Sequence, residues 1–264
     1  MACSCAQKGY VVARIIAVAN QKGGVGKTTT TVNLGAALAH RNLRVLLVDL
    51  DPQGNLTSAI GHQPAEDQTV ATALLNLKVP LPTIPVEEDG QALFEVAPTT
   101  AALAAAEAAL GVRIGRELRL RDQLSSLADQ YHFILIDTPP SLGLLTINAL
   151  VAAQGVIVPT EARYFSLHGL QLLKARIEEV QYLNPKLHLY GILLSKFDRR
   201  LREEKAVAAY LREEWGEIVF TTEIRTNSKI LEAASAGRTV FAYARARPAA
   251  QMYRALAQEI VEHN

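Results

Sequence analysis

A glycine-rich run at residues 21–31 carries the side chains that are best suited to chemistry in this sequence. It reads Gln-Lys-Gly-Gly-Val-Gly-Lys-Thr-Thr-Thr-Thr and follows the apolar segment 15–19. Its glycines have no Cβ atoms, so the backbone can curl with its N–H groups toward an anion, and a helix beginning near Lys27 adds its positive dipole end. The run therefore predicts a phosphate-binding loop, in which Lys27 reaches the β- and γ-phosphates and Thr28 ligates Mg²⁺.

Three carboxylates follow predicted strands, where open α/β sheets bind their ligands. Asp137 comes directly after four apolar residues, so we expect it to lie near the metal and to hold Mg²⁺. Asp49 and Asp51 are two residues apart and share one face of an extended backbone, so both could point toward the phosphates. The alternatives are that Asp137 caps a turn and that Asp51 only begins one, as its neighbours Pro52 and Gly54 permit.

A second lysine, Lys22, gives the loop its resemblance to a known family. The usual G-x-x-x-x-G-K-[ST] pattern has Gln21 at its first glycine position, and Lys22 precedes the glycine pair. Lys-Gly-Gly-Val-Gly-Lys-Thr-Thr resembles the deviant Walker A signature of the ParA/MinD class of ATPases, and the preceding Ala-Asn-Gln is similar to the ParA/Soj branch. Residues 48–55 and 133–140 are similar to that family's switch I region and to its Walker B strand with switch II, so the resemblance covers essentially one whole domain.

The resemblance implies a division of roles among the site residues. In the family, the residue matching Asp51 positions the attacking water, the one matching Asp49 supports the magnesium, and the one matching Lys22 crosses a dimer interface to the partner's nucleotide. ATP would then hold a homodimer together, whereas a solvated surface lysine is the alternative for Lys22. The implied catalytic residues are Lys22, Lys27 and Asp51; the metal ligands are Thr28, Asp49 and Asp137; the nucleotide-binding residues are Lys22, Gly23, Gly24, Val25, Gly26, Lys27, Thr28, Thr29 and Asn227.

Two departures from the family pattern concern the base. Residues 225–227 read Arg-Thr-Asn where partition proteins commonly show Pro-Arg-Asn, so only Asn227 is carried over as a base contact. Residues 195–198 read Ser-Lys-Phe-Asp, which resembles the N-K-x-D guanine motif with a wrong first residue. Lys196 and Asp198 would flank the base at most, and the resemblance implies ATP.

The elements that must position these residues alternate between short β-branched runs and helical patterns. This alternation predicts an α/β fold with a doubly wound, mostly parallel sheet and helices on both faces, as in P-loop NTPases. The candidate strands are 14–19, 44–49, 92–97, 132–137, 155–159 and 187–194, with a weak one at 218–219. The candidate helices are 27–40, 70–77, 100–110, 116–129, 143–152, 166–182, 202–214, 228–236 and 248–262. The proline-bearing stretch 79–90 is interpreted as a surface connection.

Composition fits one domain in a reducing compartment. The chain has 264 residues, of which 49% are hydrophobic, and a net charge of +1. We expect a disordered N-terminal extension at 1–13 and a single ParA-like ATPase domain at 14–264. Cys3 and Cys5 are the only cysteines, which favours a cytoplasmic protein without disulfides, and a two-ligand metal site is the alternative. No apolar run is long enough to span a membrane.

Basic residues in the C-terminal third are candidates for DNA contact. Residues 195–264 contain twelve lysines and arginines against ten acidic residues, so a basic surface there must be local. In partition ATPases such residues bind the DNA backbone without sequence preference and only in the ATP dimer, which suits contacts to phosphates. Ion pairs on a solvated helix face are the alternative. The candidates are Arg199, Arg200, Arg202, Lys229, Arg238, Arg245 and Arg247.

The resemblance thus implies an ATP-dependent DNA-segregation ATPase that is cytoplasmic, nucleoid-associated and stimulated by a ParB-like centromere-binding protein. A positioning scaffold that distributes a protein cluster, such as a chemoreceptor array, on the nucleoid is the second hypothesis. A nucleotide-binding module without hydrolysis is the third, and the presence of both Asp51 and Asp137 argues against it.

Several relatives are disfavoured by residues. Iron–sulfur reductases of this class need cysteines deep in the chain. Membrane-bound MinD-like proteins need a basic amphipathic C-terminal helix, whereas the last residues here are acidic. Operator-binding relatives carry an N-terminal helix-turn-helix, and only about thirteen residues precede the first predicted strand.

Overall fold

The computed structural model describes residues 13–88, 90–243 and 246–262. Most of the predicted N-terminal extension, including both cysteines, and the candidate DNA contact Arg245 lie outside these ranges. Ala13 is described and is buried, and its N–H donates to the carbonyl of Ala128 at 2.8 Å. The domain boundary predicted at residue 14 therefore falls one residue inside the packed core.

The described residues form an eight-stranded sheet in the order β3-β4-β2-β5-β1-β6-β7-β8. Every neighbouring pair is parallel except β3 with β4. The strands are β1 (Arg14–Val18), β2 (Val45–Asp49), β3 (Ile84–Glu88), β4 (Gln91–Ala97), β5 (Phe133–Asp137), β6 (Gly155–Thr160), β7 (His188–Phe197) and β8 (Val219–Arg225). This is the predicted α/β class with a mostly parallel sheet.

Helices cover both faces of the sheet. They are α1 (Lys27–Ala39), α2 (Asn55–Ala59), α3 (Val70–Leu75), α4 (Ala102–Leu110), α5 (Arg119–Ser125), α6 (Leu144–Ala152), α7 (Tyr164–Val180), α8 (Arg202–Trp215), α9 (Ser228–Ser235) and α10 (Arg247–Glu262). Helices α3 to α8 contribute to one apolar cluster, and α1, α2, α9 and α10 contribute to the other. The strands β2, β5 and β6 are buried along their whole length because helices cover both of their faces, which explains their uninterrupted apolar sequences.

The prediction of a surface connection over 79–90 was wrong for its second half, which is the edge strand β3. Ile84 and Val86 alternate with more exposed residues and pack on the core opposite Val96 and Phe94 of β4. Pro85 is tolerated because an edge strand needs only one row of backbone hydrogen bonds. The segment is a strand because it pairs with β4. Its proline made the sequence resemble a connection instead of a strand.

Other differences concern element bounds. The helix predicted at 116–129 is a 3₁₀ turn over Arg116–Leu118 followed by α5, which ends at Ser125. The weak strand at 218–219 is the first part of β8, which extends to Arg225. The short helix α2 was not predicted, because it has only five residues and begins directly after the turn at Gly54.

Candidate functional site

The glycine-rich run forms the loop between β1 and α1, at the carboxyl edge of the sheet. Gly24 and Gly26 have φ angles of +75° and +90°, which residues with a Cβ rarely adopt. Gly26 is the N-cap of α1, and no side chain caps this helix end. The N–H groups of the first turn of α1 are therefore left for an anionic ligand.

Lys27, the first residue of α1, points into the protein and is only 7% exposed. Its Nζ lies 3.4 Å from the carbonyl oxygen of Lys22. Burial lowers the pKa of Lys27 below its ordinary value, while the carboxylates of Asp137 and Asp51 act in the opposite direction. A buried ammonium group with so few partners is suited to receive a multiply charged anion.

Asp137 and Asp49 lie side by side at the ends of β5 and β2, where they are register partners. Both are fully buried. The hydroxyl of Thr28 donates to Asp137 Oδ2 at 2.6 Å. Burial, and then the adjacent Asp49, raise the pKa of Asp137 well above its ordinary value, against the opposing effects of Thr28 and Lys27. The nearby positive charge of Lys27 does not offset this burial, and a cation bound at Asp137 would supply the missing counter-charge.

Asp49 is engaged with the backbone that follows β2. Its Oδ2 accepts hydrogen bonds from the Thr57 N–H at 2.8 Å and the Thr57 hydroxyl at 2.6 Å, and its Oδ1 accepts from the Asp51 N–H at 3.3 Å. Burial raises the pKa of Asp49 to about 6, although these hydrogen bonds oppose the shift. In this geometry Asp49 anchors the segment 51–57, the region similar to switch I.

Thr57 connects this anchor to a neighbouring loop, because its hydroxyl also accepts the N–H of Thr99 at 3.0 Å. We predict that Thr57→Val lowers the free energy of unfolding by about 2 kcal/mol, since both Asp49 and Thr99 lose a buried hydrogen-bond partner. Chemical denaturation of the nucleotide-free protein measures this. Thr72→Val, which removes an exposed hydroxyl that donates to Glu66 O at 3.3 Å, is the matched control and should change stability by less than about 0.5 kcal/mol. Equal losses in the two variants would contradict the anchoring role.

Asp51 faces the same cleft as Lys27. It is 5% exposed, and its Oδ1 accepts the N–H of Gln53 at 3.0 Å in a local turn. The turn and a ligand-facing carboxylate, offered as alternatives from the sequence, are thus present together.

An open cleft of about 530 Å³ lies along this edge of the protein. Eight residues of the glycine-rich loop and α1 line it, together with Asp51; the eight are Gly23, Gly24, Gly26, Lys27, Thr28, Thr29, Val32 and Asn33. The opposite wall consists of Leu231, Ala234 and Ser235 of α9, with Lys196 and Arg238. The cleft therefore brings together parts of the chain that are about 200 residues apart.

Three of the predicted nucleotide-binding residues do not line the cleft. Val25 is buried behind the loop, and its carbonyl accepts the Ser195 hydroxyl at 2.7 Å. Asn227 caps α9 by accepting the Lys229 N–H at 2.9 Å. Lys22 is turned away from the cleft, and its Nζ pairs with Glu161 Oε2 at 2.8 Å.

Arg238 and Lys196 line the cleft, although the sequence suggested DNA contact for the first and at most a flanking position for the second. Lys196 has a φ angle of +53°, which is uncommon for a residue with a side chain, and the Thr226 hydroxyl donates to its carbonyl at 2.8 Å. The Ser-Lys-Phe-Asp run at 195–198 was the one sequence signal for Lys196. Arg238 had none, because its position depends on how α9 packs.

The remaining DNA candidates are divided by their ion pairs. Arg199 pairs with Glu223 at 2.7 Å, Arg200 with Asp198 at 2.7 Å and Lys229 with Glu232 at 2.6 Å. Within the ranges that the structure describes, Arg202 and Arg247 make no ion pair, and both are exposed. The alternative of ion-paired residues is therefore realised for three of these residues, although the i,i+4 spacings of Arg199 with Glu203 and of Arg200 with Glu204 give no ion pair.

The donor set around Thr28 suits magnesium. A hydroxyl and a carboxylate are hard oxygen ligands, and the buried Asp137 carboxylate would be stabilised by a cation bound beside it. The described residues contain no cluster of three or more His, Cys, Asp or Glu side chains that could hold a metal alone. A magnesium ion here would take most of its ligands from phosphate and water.

No helix within the described ranges combines the length and apolarity that a membrane span requires.

Comparison with known proteins gives consistent matches over most of the chain. A family model described as "AAA domain" matches residues 13–189. The chromosome-partitioning ATPase Soj of Thermus thermophilus is 45% identical over 249 residues, which cover 94% of this chain and 95% of that protein. The chromosome partitioning protein ParA of Caulobacter vibrioides is 40% identical over 251 residues and 94% of each chain.

A solved structure agrees in fold. The crystal structure of cobyrinic acid a,c-diamide synthase from Mycobacterium smegmatis, with bound ADP and magnesium, superposes with a TM-score of 0.81. It is 35% identical, and the match covers 95% of each chain. The same protein is also known with a bound ATP analogue and magnesium.

Proposed function

Because the chain belongs to the ParA/Soj family of partition ATPases, we propose that it binds DNA non-specifically as an ATP-bound homodimer and hydrolyses ATP when a ParB-like partner stimulates it. The chain is an ATPase, and its ligands are ATP and Mg²⁺. We propose three partners in addition to these ligands: DNA, a second copy of this chain and the stimulating protein.

The position of Lys22 carries the proposal. A lysine beside a phosphate loop would be expected to serve its own ligand, yet Lys22 does not line the cleft and is 44% exposed at its side chain. A cationic group that stands at the mouth of the site without facing it can reach the nucleotide of a second copy. The bound triphosphate would then join two protomers, and its hydrolysis would separate them.

We assign phosphate binding to the backbone from Gly23 to Thr29 and to Lys27. The uncapped first turn of α1 presents N–H donors, and the buried ammonium of Lys27 supplies full positive charge. Binding a phosphate here compensates the desolvation that lowers the pKa of Lys27.

We assign the metal position to Thr28 and Asp137, which already share a hydrogen bond. Mg²⁺, when bound, supplies positive charge that offsets the negative charge of the β- and γ-phosphates. Asp49 has both oxygens committed to Thr57 and Asp51, so we propose that it supports the metal position indirectly, by holding the segment 51–57 beside Asp137.

We assign the attacking water to Asp51. Its carboxylate lines the cleft across from the phosphate loop and is oriented by the turn that its own Oδ1 makes with Gln53. An oriented carboxylate can accept a proton from water, or align it, as the water attacks a phosphoryl group. Lys22 of the second copy would offset the charge that develops there.

We also propose that residues 14–264 act as one ATPase domain in the cytoplasm, associated with the nucleoid. The continuous sheet from β1 to β8 and the packing of α10 on both α1 and β8 support a single unit.

DNA binding measured with ATP and with ADP tests the function directly. The ATP state, prepared with a non-hydrolysable analogue and Mg²⁺, should bind unrelated duplexes equally well and much more tightly than the ADP state. Equal affinity in the two states would contradict a nucleotide-controlled DNA switch, and a strong preference for one sequence would contradict contacts to phosphates alone.

A charge-removal variant locates the DNA face. Replacing Arg199, Arg200 and Arg202 with alanine should weaken binding to all sequences alike and reduce the slope of log K against log salt by about 1 to 2. Arg202 should account for most of the loss, because Arg199 and Arg200 are partly neutralised by Glu223 and Asp198. The matched control removes three charges elsewhere, at the exposed Arg121 and Lys186 and at the half-buried Arg176. An equal loss in this control would indicate a general charge effect.

A further inference from the structure

Glu161 lies immediately after β6 and binds two cations through one oxygen atom. The Lys22 Nζ is 2.8 Å from Glu161 Oε2, and the Arg163 Nε is 3.4 Å from the same atom. The carboxylate is 15% exposed, whereas the side chains of Lys22 and Arg163 are 44% and 61% exposed. The carboxylate is therefore the more buried centre of the cluster, and the two cations are its more exposed partners.

The three residues are close for different reasons. Arg163 follows Glu161 by two residues in a turn in which its N–H donates to the Glu161 carbonyl at 2.8 Å. Lys22 comes from the phosphate loop, 139 residues away along the chain, and its own N–H donates to Asn20 Oδ1 at 3.0 Å. The backbone of the loop is thus held near Asn20, and the Lys22 side chain extends to the residue that follows the strand β6.

A half-buried carboxylate is costly when it is left without a counter-charge. If Lys22 leaves Glu161 to reach another ligand, Arg163, whose Nε already lies 3.4 Å from the same oxygen, can move closer and take over the position of Lys22. The free-energy cost of moving Lys22 is then the difference between the ion pairs that Lys22 and Arg163 make with Glu161. It is smaller than the cost of leaving Glu161 without an ion pair.

We propose that Glu161 is a positioning residue that retains Lys22 within its own protomer while the chain is unpaired, and that Arg163 replaces Lys22 on Glu161 when two nucleotide-bound copies associate. This inference rests on the proposed role of Lys22 in the homodimer. It adds a free-energy cost to dimer formation, because each copy must exchange one ion pair of Glu161 for another before its Lys22 can reach the nucleotide of the second copy.

Two single variants shift dimerisation in opposite directions. Glu161→Gln keeps the shape of the side chain and removes its charge, so Lys22 is released and the dimer dissociation constant should fall about fivefold, because two such pairs break per dimer. Arg163→Gln removes the replacement cation, so the constant should rise about threefold. Static light scattering over a protein concentration series, with saturating adenylyl imidodiphosphate and Mg²⁺, measures both.

The double variant separates exchange from simple charge effects. Without the carboxylate, Arg163 has nothing to neutralise, so Glu161→Gln with Arg163→Gln should match Glu161→Gln alone. The matched controls are Glu179→Gln and Arg176→Gln, which remove the exposed ion pair on α7 and change the net charge identically. Thermal melting of every variant establishes that each is folded.

The outcomes distinguish the inference from the function on which it rests. If the parent protein stays monomeric with the analogue, the proposed homodimer is wrong. If the parent dimerises but Glu161→Gln dimerises equally well or less well, the retention of Lys22 by Glu161 is wrong. If the two single variants add independently in the double variant, Arg163 acts without Glu161 and the exchange is wrong.

Discussion

Replacing Lys27 with alanine should weaken binding of ATP and ADP by about a hundredfold or more. Lys27 is a buried cation in the cleft, and a hydrogen bond to a charged group in such a position contributes up to about 3 kcal/mol. Isothermal titration calorimetry with each nucleotide and Mg²⁺ measures the loss. Because both nucleotides share the β-phosphate, we expect the affinities for ATP and ADP to fall together.

The variant should remain folded. Removing the Lys27 charge takes away one favourable neighbour of Asp137, but the hydroxyls of Thr28 and Thr31 still donate to this carboxylate, at 2.6 and 3.5 Å. Lys78→Ala, at an exposed site outside the cleft, is the control for loss of a single lysine. Parental nucleotide affinity in a folded Lys27→Ala variant would rule out the phosphate site described above.

The second large effect is on turnover. We expect Asp51→Ala to lower kcat by about 100- to 10,000-fold, the range for loss of a group that positions or deprotonates the nucleophile. Nucleotide affinity should change little, because the backbone of the glycine-rich loop and Lys27 remain. The variant should therefore accumulate as an ATP dimer that stays on DNA.

Single-turnover hydrolysis and light scattering with ATP itself test both parts of this prediction. The control is Asp67→Ala, which removes an exposed carboxylate from the loop that precedes α3. Hydrolysis at the parental rate would remove Asp51 from the mechanism. Loss of hydrolysis together with loss of nucleotide binding would instead assign Asp51 to the integrity of the cleft.

Much of the cleft followed from local sequence. The glycine-rich loop is contiguous, so its lysine, threonine and glycines could be assigned without knowledge of the fold. Asp49 and Asp137 were placed at strand ends because apolar runs precede them, and the parallel sheet then made them neighbours. Asp51 was placed by its spacing of two from Asp49.

Other parts of the site depend on contacts that are distant in sequence. The wall formed by α9 and the following Arg238 lies across the cleft from Lys27 although more than 190 residues separate them. The role of Asp49 as an anchor for Thr57 was not visible either, since a carboxylate near a metal site is ordinarily assigned to the metal. The strand β3 was missed for the same reason, because only its pairing with β4 identifies it.

The sequence by itself determined the glycine-rich loop and the strand-end carboxylates, because each follows from the order of residues within about ten positions, and it determined the fold class through the alternation of strand and helix patterns along the chain. The tertiary structure determined which charged side chains form ion pairs and which face the cleft. Lys22 pairs with Glu161, while Arg199 and Arg200 pair with Glu223 and Asp198, and Lys27 is left facing the cleft. Electrostatic interactions depend on distance through space and on burial, and neither quantity is encoded in the spacing of residues along the chain.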